Sequence, residues 1–101
     1  MDHLPIRIFD YSDYRAFLKD ALQALKERDP RSSQRWVLQR LGLKSSGWLA
    51  DMLAGRRNLS RPQASVFGQI LALSAREELY FQVLVDYDQA RTLPEKNRCY
   101  E

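Results

Sequence analysis

The chain has 101 residues, of which 45% are hydrophobic and 29% charged, with a formal net charge of +3. That composition fits one folded domain with one modest core and argues against disorder. Met1-Asp2-His3-Leu4-Pro5 lacks the basic-then-apolar pattern of a signal peptide, and no apolar run is long enough to span a membrane. The single cysteine, Cys99, cannot form an internal disulfide or a structural zinc site, so a reducing cytoplasm is the expected compartment. The charge is unevenly spread. Residues 31–61 carry Arg31, Arg35, Arg40, Lys44, Arg56, Arg57 and Arg61 against Asp51 alone, whereas the flanking thirds are each slightly acidic. A confined basic island on a near-neutral chain is the footprint of a docking face for a polyanion.

In chain order, Ile6 to Phe9 alternates too briefly to make a strand. From Ser12 to Arg28, Tyr14, Phe17, Leu18, Ala21, Leu22 and Leu25 recur at helical spacing, with Asp10 or Ser12 as the cap and Pro30 as the stop. A second helix is expected over 34–41, capped by Ser32 or Ser33, with Trp36, Val37 and Leu41 apolar; core packing is expected of Trp36. Gly42 supplies a sharp turn and Leu43 tucks behind it. A third helix runs from about Ser46 to Ala54 with Leu49, Met52 and Leu53 inward, Trp48 at the edge of the stripe, and Gly55 as terminator.

Three capping-box patterns follow: Ser60 with Gln63, Ser74 with Glu77, and Thr92 with Glu95. They predict a fourth helix carrying Val66, Phe67, Ile70 and Leu71, and a fifth carrying Leu79, Tyr80, Val83, Leu84 and Tyr87. A sixth would start near Pro94. The aromatics Tyr80, Phe81, Tyr87 and Tyr100 read as core or as a dimer seam. The expected fold is an all-α bundle of five to six short helices forming a single domain over 1–101. Residues 92–101 would begin a further helix or a linker.

Two short helices around a glycine turn outline a helix-turn-helix over about 33–54. In that arrangement Lys44, Ser45, Ser46, Gly47, Ala50 and Asp51 would lie nearest the bases. Gln34, Arg35, Arg40, Arg56, Arg57, Asn58 and Arg61 would meet phosphates. The outward face of the third helix is poor in base-reading side chains, although Asp51 could accept from cytosine. No Ser/His/Asp triad, Gly-rich phosphate loop or metal-ligand spacing is visible, so neither an enzyme nor a cofactor is expected.

Ser33-Gln34 opening the second helix and Gly55-Arg56-Arg57-Asn58 after the third resemble a phage-repressor-like helix-turn-helix over Ser33 to Leu73. Together with the stretches Ile8 to Leu18, Gly55 to Ser60 and Gln89 to Glu101, the chain resembles a family of uncharacterised bacterial proteins, proposed transcriptional regulators. The resemblance implies double-stranded DNA as partner, and a second, effector domain following Glu101. Where this chain has Ala50, the family often has lysine. A homodimer reading two half-sites is expected, with the fifth and sixth helices as its seam. The rival expectation is a protein-interaction module that keeps the fold without reading bases, motivated by an exposed Trp48; RNA binding ranks third.

Overall fold

The computed structural model describes residues 5–45 and 47–97, with the backbone alone for 91–97. His3, Ser46, Cys99 and Tyr100 lie outside the described residues. A 3-10 turn, Ile8–Asp10, precedes five α-helices: α1 Tyr14–Arg28, α2 Gln34–Leu41, α3 Gly47–Leu53, α4 Arg61–Ile70 and α5 Ala75–Asn97. Among the described residues there is no strand. Helix α1 packs on α3 and α5, while α4 packs on α5 and α2.

Every helix start with an identified cap side chain uses local sequence chemistry. Asp13, rather than Asp10 or Ser12, caps α1 by accepting from the Arg15 amide. The earlier candidates lie outside the helix because Asp10 closes the 3-10 turn and Tyr11 is extended. Ser33 caps α2 by accepting from the Trp36 amide. Both reciprocal bonds of a capping box form at Ser60 with Gln63 and again at Ser74 with Glu77. The third pattern, at Thr92, starts nothing. Helix α5 runs through Pro94 to Asn97, so among the described residues no separate sixth helix begins near Pro94, and α5 is long rather than short. Pro94 cannot donate to the carbonyl one turn back, so α5 forgoes one backbone bond there.

Helices α2, α3 and α4 end in one shared way. Leu43 donates to the Leu38 carbonyl, Arg56 to Asp51, and Leu73 to Gly68, each closing the wide loop of a Schellman motif. Gly42 and Gly55 occupy the left-handed position of the first two at φ +74° and +90°. The third position holds Ala72 at φ 55°, where a side-chain-bearing residue is strained.

The core joins Tyr14, Phe17 and Leu18 of α1 to Leu49 and Met52 of α3, Phe67 of α4, and Phe81, Leu84 and Val85 of α5. Phe81 meets Tyr14 and Phe17 with ring centroids 6.4 and 6.0 Å apart, in edge and tilted geometry. The Tyr80 hydroxyl donates to the Tyr11 carbonyl at 2.7 Å and pins the segment before α1 to α5. The expected faces are met in part: Trp36 packs against the core, and Tyr80 and Leu84 of α5 turn inward. Trp48 is buried, while Trp36 is only half-buried, with the Arg40 guanidinium 5.4 Å from its ring centroid. On α5 the inward face is Phe81, Leu84 and Val85; Leu79, Val83 and Tyr87 point outward at 67%, 54% and 60% exposure. Apolar residues stand on both sides of this helix, so spacing alone did not choose between them.

The shared helix ending gives a paired prediction. Gly42→Ala should lower unfolding stability by about 1 kcal/mol and Ala72→Gly should raise it by a similar amount, because an L-residue pays that much in the left-handed region. No atom crowds the Gly42 position, so backbone strain accounts for the whole change there. Urea titrations of the two variants beside the parent chain check the opposite signs.

Candidate nucleic-acid interface

The turn between α2 and α3 is set by Gly42, whose amide donates to the Gln39 carbonyl, and by Leu43, half-buried behind it. Lys44 and Ser45 are exposed in the turn, and the Ser45 carbonyl accepts from the Trp48 amide as α3 begins. Buried Trp48, Leu49 and Met52 hold one side of α3 in the core. Gly47, Ala50 and Ala54 are exposed on its other side and Asp51 is half-exposed. The α3 residues assigned to base contact therefore face outward, and they are mostly small.

Asp51 does not offer a free carboxylate to a base. One of its oxygens takes Arg56 at 2.9 Å and the other takes Arg57 at 3.7 Å. The chain folds this way because the Schellman bond from the Arg56 amide to the Asp51 carbonyl returns the loop over the last turn of α3. Arg61, assigned to phosphate, pairs with Asp86 of α5 at 2.9 Å. Arg31 pairs with Asp29, whose carboxyl is held below its usual range mainly by the Arg31 backbone amide. The basic island thus divides. Arg31, Arg56, Arg57 and Arg61 have carboxylate partners, whereas Arg35, Arg40 and Lys44 form no ion pair with a described residue. Gln34 and Arg35 stand exposed at the start of α2, Arg40 at its end, and Asn58 is exposed in the loop after α3.

The residue that positions this region was not among those expected from sequence. Arg15, on the first turn of α1, donates from Nε to the Met52 carbonyl at 2.8 Å and from a terminal nitrogen to the Arg57 carbonyl at 3.1 Å. Its other terminal nitrogen meets Asp88 of α5 at 2.6 Å, and its side chain is only 14% exposed. Its guanidinium also lies 4.7 Å from the Tyr14 ring centroid. Gln89, one residue after Asp88, accepts from the Leu59 amide at 2.7 Å and from the Tyr14 hydroxyl at 3.3 Å. The end of α3 and the loop residues Arg57 and Leu59 are therefore held by side chains far away in sequence. Asp88 and Gln89 do not stand out by sequence, because α5 also carries Arg76, Glu77, Glu78, Gln82 and Asp86.

No family model, curated protein or solved structure matches the chain.

Two predictions follow from the Arg15 cluster. Arg15→Lys should cost about 2 kcal/mol, because one ammonium cannot serve two carbonyls and a carboxylate in a fixed fork. The test is whether the urea midpoint falls while the denaturant slope stays constant. The second concerns Tyr14, whose phenol is raised from 10.0 to about 12, chiefly by burial. The folded state holds the neutral phenol, so this contribution is complete below pH 10 and disappears as pH climbs to about 12. Tyr14→Phe should flatten the alkaline loss of stability over that window; an unchanged pH profile contradicts the assignment.

Proposed function

We propose that this chain is the DNA-binding domain of a bacterial transcriptional regulator, with α2, the Gly42 turn and α3 acting as a helix-turn-helix. The observation that carries this reading is the distribution of unpaired cations. Arg35, Arg40 and Lys44 stand on α2 and in the turn, without carboxylate partners among the described residues, beside an outward α3 face of small side chains. Small residues let a helix approach base edges closely, while cations on flanking segments neutralise phosphates. Lys44 and Ser45 are the side chains nearest the base-reading role. Arg56 and Arg57 serve as a reserve, because exposed ion pairs are worth about 1 kcal/mol or less and exchange readily for phosphate. A homodimer reading two half-sites would meet through the exposed Leu79, Val83 and Tyr87 of α5.

One observation favours a second reading, a protein-interaction module on the same fold. It is that α5 stripe, not Trp48, which is buried and offers no surface.

Titration with random duplex DNA at several salt concentrations separates the two. For the regulator reading, log K falls steeply with log salt, by about 0.9 per phosphate neutralised. Asp51→Asn frees Arg56 and Arg57, so it should tighten binding severalfold on every sequence and steepen the slope. Lys44→Ala should change sequence preference instead. Absence of binding at low salt would overturn the regulator reading and leave the interaction module.

A further inference from the structure

A cleft of about 430 Å³ lies between α1 and the start of α2, with Leu49 and Leu53 of α3 also in its wall. Three cations line it: Lys19 and Lys26 from α1 and Arg35 from α2. Lys19 and Lys26 are seven residues apart, so two helical turns place them on one face. None of the three forms an ion pair with a described residue, and no Asp or Glu lines the cleft. A lining amide, Gln23, donates to Glu27 at 3.0 Å.

Three polar groups at the start of α2 are also unspent. Ser33 is used as the α2 cap and satisfies the Trp36 amide, but the Gln34 and Arg35 amides at the first turn have no hydrogen-bond partner among the described residues. Ser32 is buried to 8% exposure and lines the cleft, and its hydroxyl likewise has no partner there; only its amide is bonded, to the Asp29 carbonyl. A buried hydroxyl left without a partner is costly, and a ligand that accepts hydrogen bonds removes that cost.

We propose that this cleft seats a phosphate group, with Lys19, Lys26 and Arg35 supplying charge and Ser32 and the first amides of α2 donating hydrogen bonds. A tetrahedral anion suits the site because donors converge from two helices and every charged side chain in the lining is positive. The phosphate comes from a DNA backbone or from free phosphate in solution. The DNA source rests on the function proposed above; the cleft chemistry does not. Lys19 and Lys26 belong to an acidic third of the chain by sequence, yet they share the Arg35 site in space.

The test follows amide resonances of the intact chain in two titrations at fixed ionic strength, one with inorganic phosphate and one with random duplex DNA. Phosphate should shift the Ser32, Gln34 and Arg35 amides, whereas equimolar chloride should not. Lys19→Gln combined with Lys26→Gln changes only exposed side chains. It should weaken phosphate binding at least about fivefold and reduce the magnitude of the DNA salt slope by about 1. Ser32→Ala, which removes a buried hydroxyl with no partner among the described residues, should weaken phosphate binding while holding or raising the thermal midpoint. DNA binding with an unchanged slope in the double variant, together with no phosphate shifts, overturns the cleft and leaves the DNA-binding reading standing. Phosphate shifts without any DNA binding at low salt support the cleft with free phosphate as its occupant, and overturn the DNA-binding reading alone.

Discussion

The Arg15 guanidinium is where the separate parts of this chain are tied together. It joins the first turn of α1 to the last turn of α3, to the loop beyond it, and to α5. Each bond answers a need the backbone creates. Helix α3 has only seven residues, so the carbonyls of its last turn are a large fraction of its polar groups. Met52 is fully buried, and its carbonyl, which takes the Gly55 amide at 3.2 Å, uses its second lone pair on Arg15. A planar cation with donors on several edges meets that carbonyl, a loop carbonyl and a carboxylate at once. Gln89 then secures the Leu59 amide one step further along. The exposed arginines and asparagine of residues 56–58 ride on a loop held at Arg57 and Leu59, which restricts where their charges can point.

The second constraint is electrostatic, and reading charge along the chain obscures it. Counted by sequence, the middle third is strongly basic. In space, Asp29 and Asp86 from the neighbouring thirds come back to Arg31 and Arg61, and Asp51 takes both Arg56 and Arg57. In the other direction, Lys19 and Lys26 leave the acidic N-terminal third and join Arg35. The cations that lack carboxylates therefore shift toward α1, α2 and the turn. Exposed pairs are weakly held, so a polyanion can compete for the remaining arginines.

What was legible in the sequence followed the range of the interaction that decides it. Caps and stops are local. Ser33, Ser60, Ser74, Gly42 and Gly55 were readable because their bonds close within a few residues. The α1 stripe was readable because its other face is polar. The faces of α5 were not, since Leu79, Val83 and Tyr87 are as apolar as Phe81, Leu84 and Val85. Docking of Asp88 and Gln89 against Arg15, Tyr14 and Leu59 puts one side inward, and those contacts span 30 to 75 residues. The burial of Trp48 was open for a similar reason: it sits at the edge of its helical stripe, and only tertiary packing draws it inward. Ala72 was invisible because a left-handed ending normally announces itself with glycine. Of the candidate site, the outward placement of Gly47 and Ala50 was legible, but the commitments of Asp51 and Arg61 were not.

These commitments change what kind of recognition the surface can support. An α3 face of glycine and alanine reads little by hydrogen bonding, and its one acid is held by two arginines. Placing such a face against a duplex depends more on grip and approach than on base-specific bonds. Approach is served by the small side chains, and grip by cations on other segments. For those cations to hold one docking pose they must be fixed relative to α3. The shared helix ending fixes α2 across the Gly42 turn, and Arg15 fixes the loop beyond α3. In the proposed DNA-binding role, this frame would present α3, a weak reader, flanked by cations on fixed segments. Sequence preference in such an arrangement would arise largely from the duplex shape that lets all the anchors engage together.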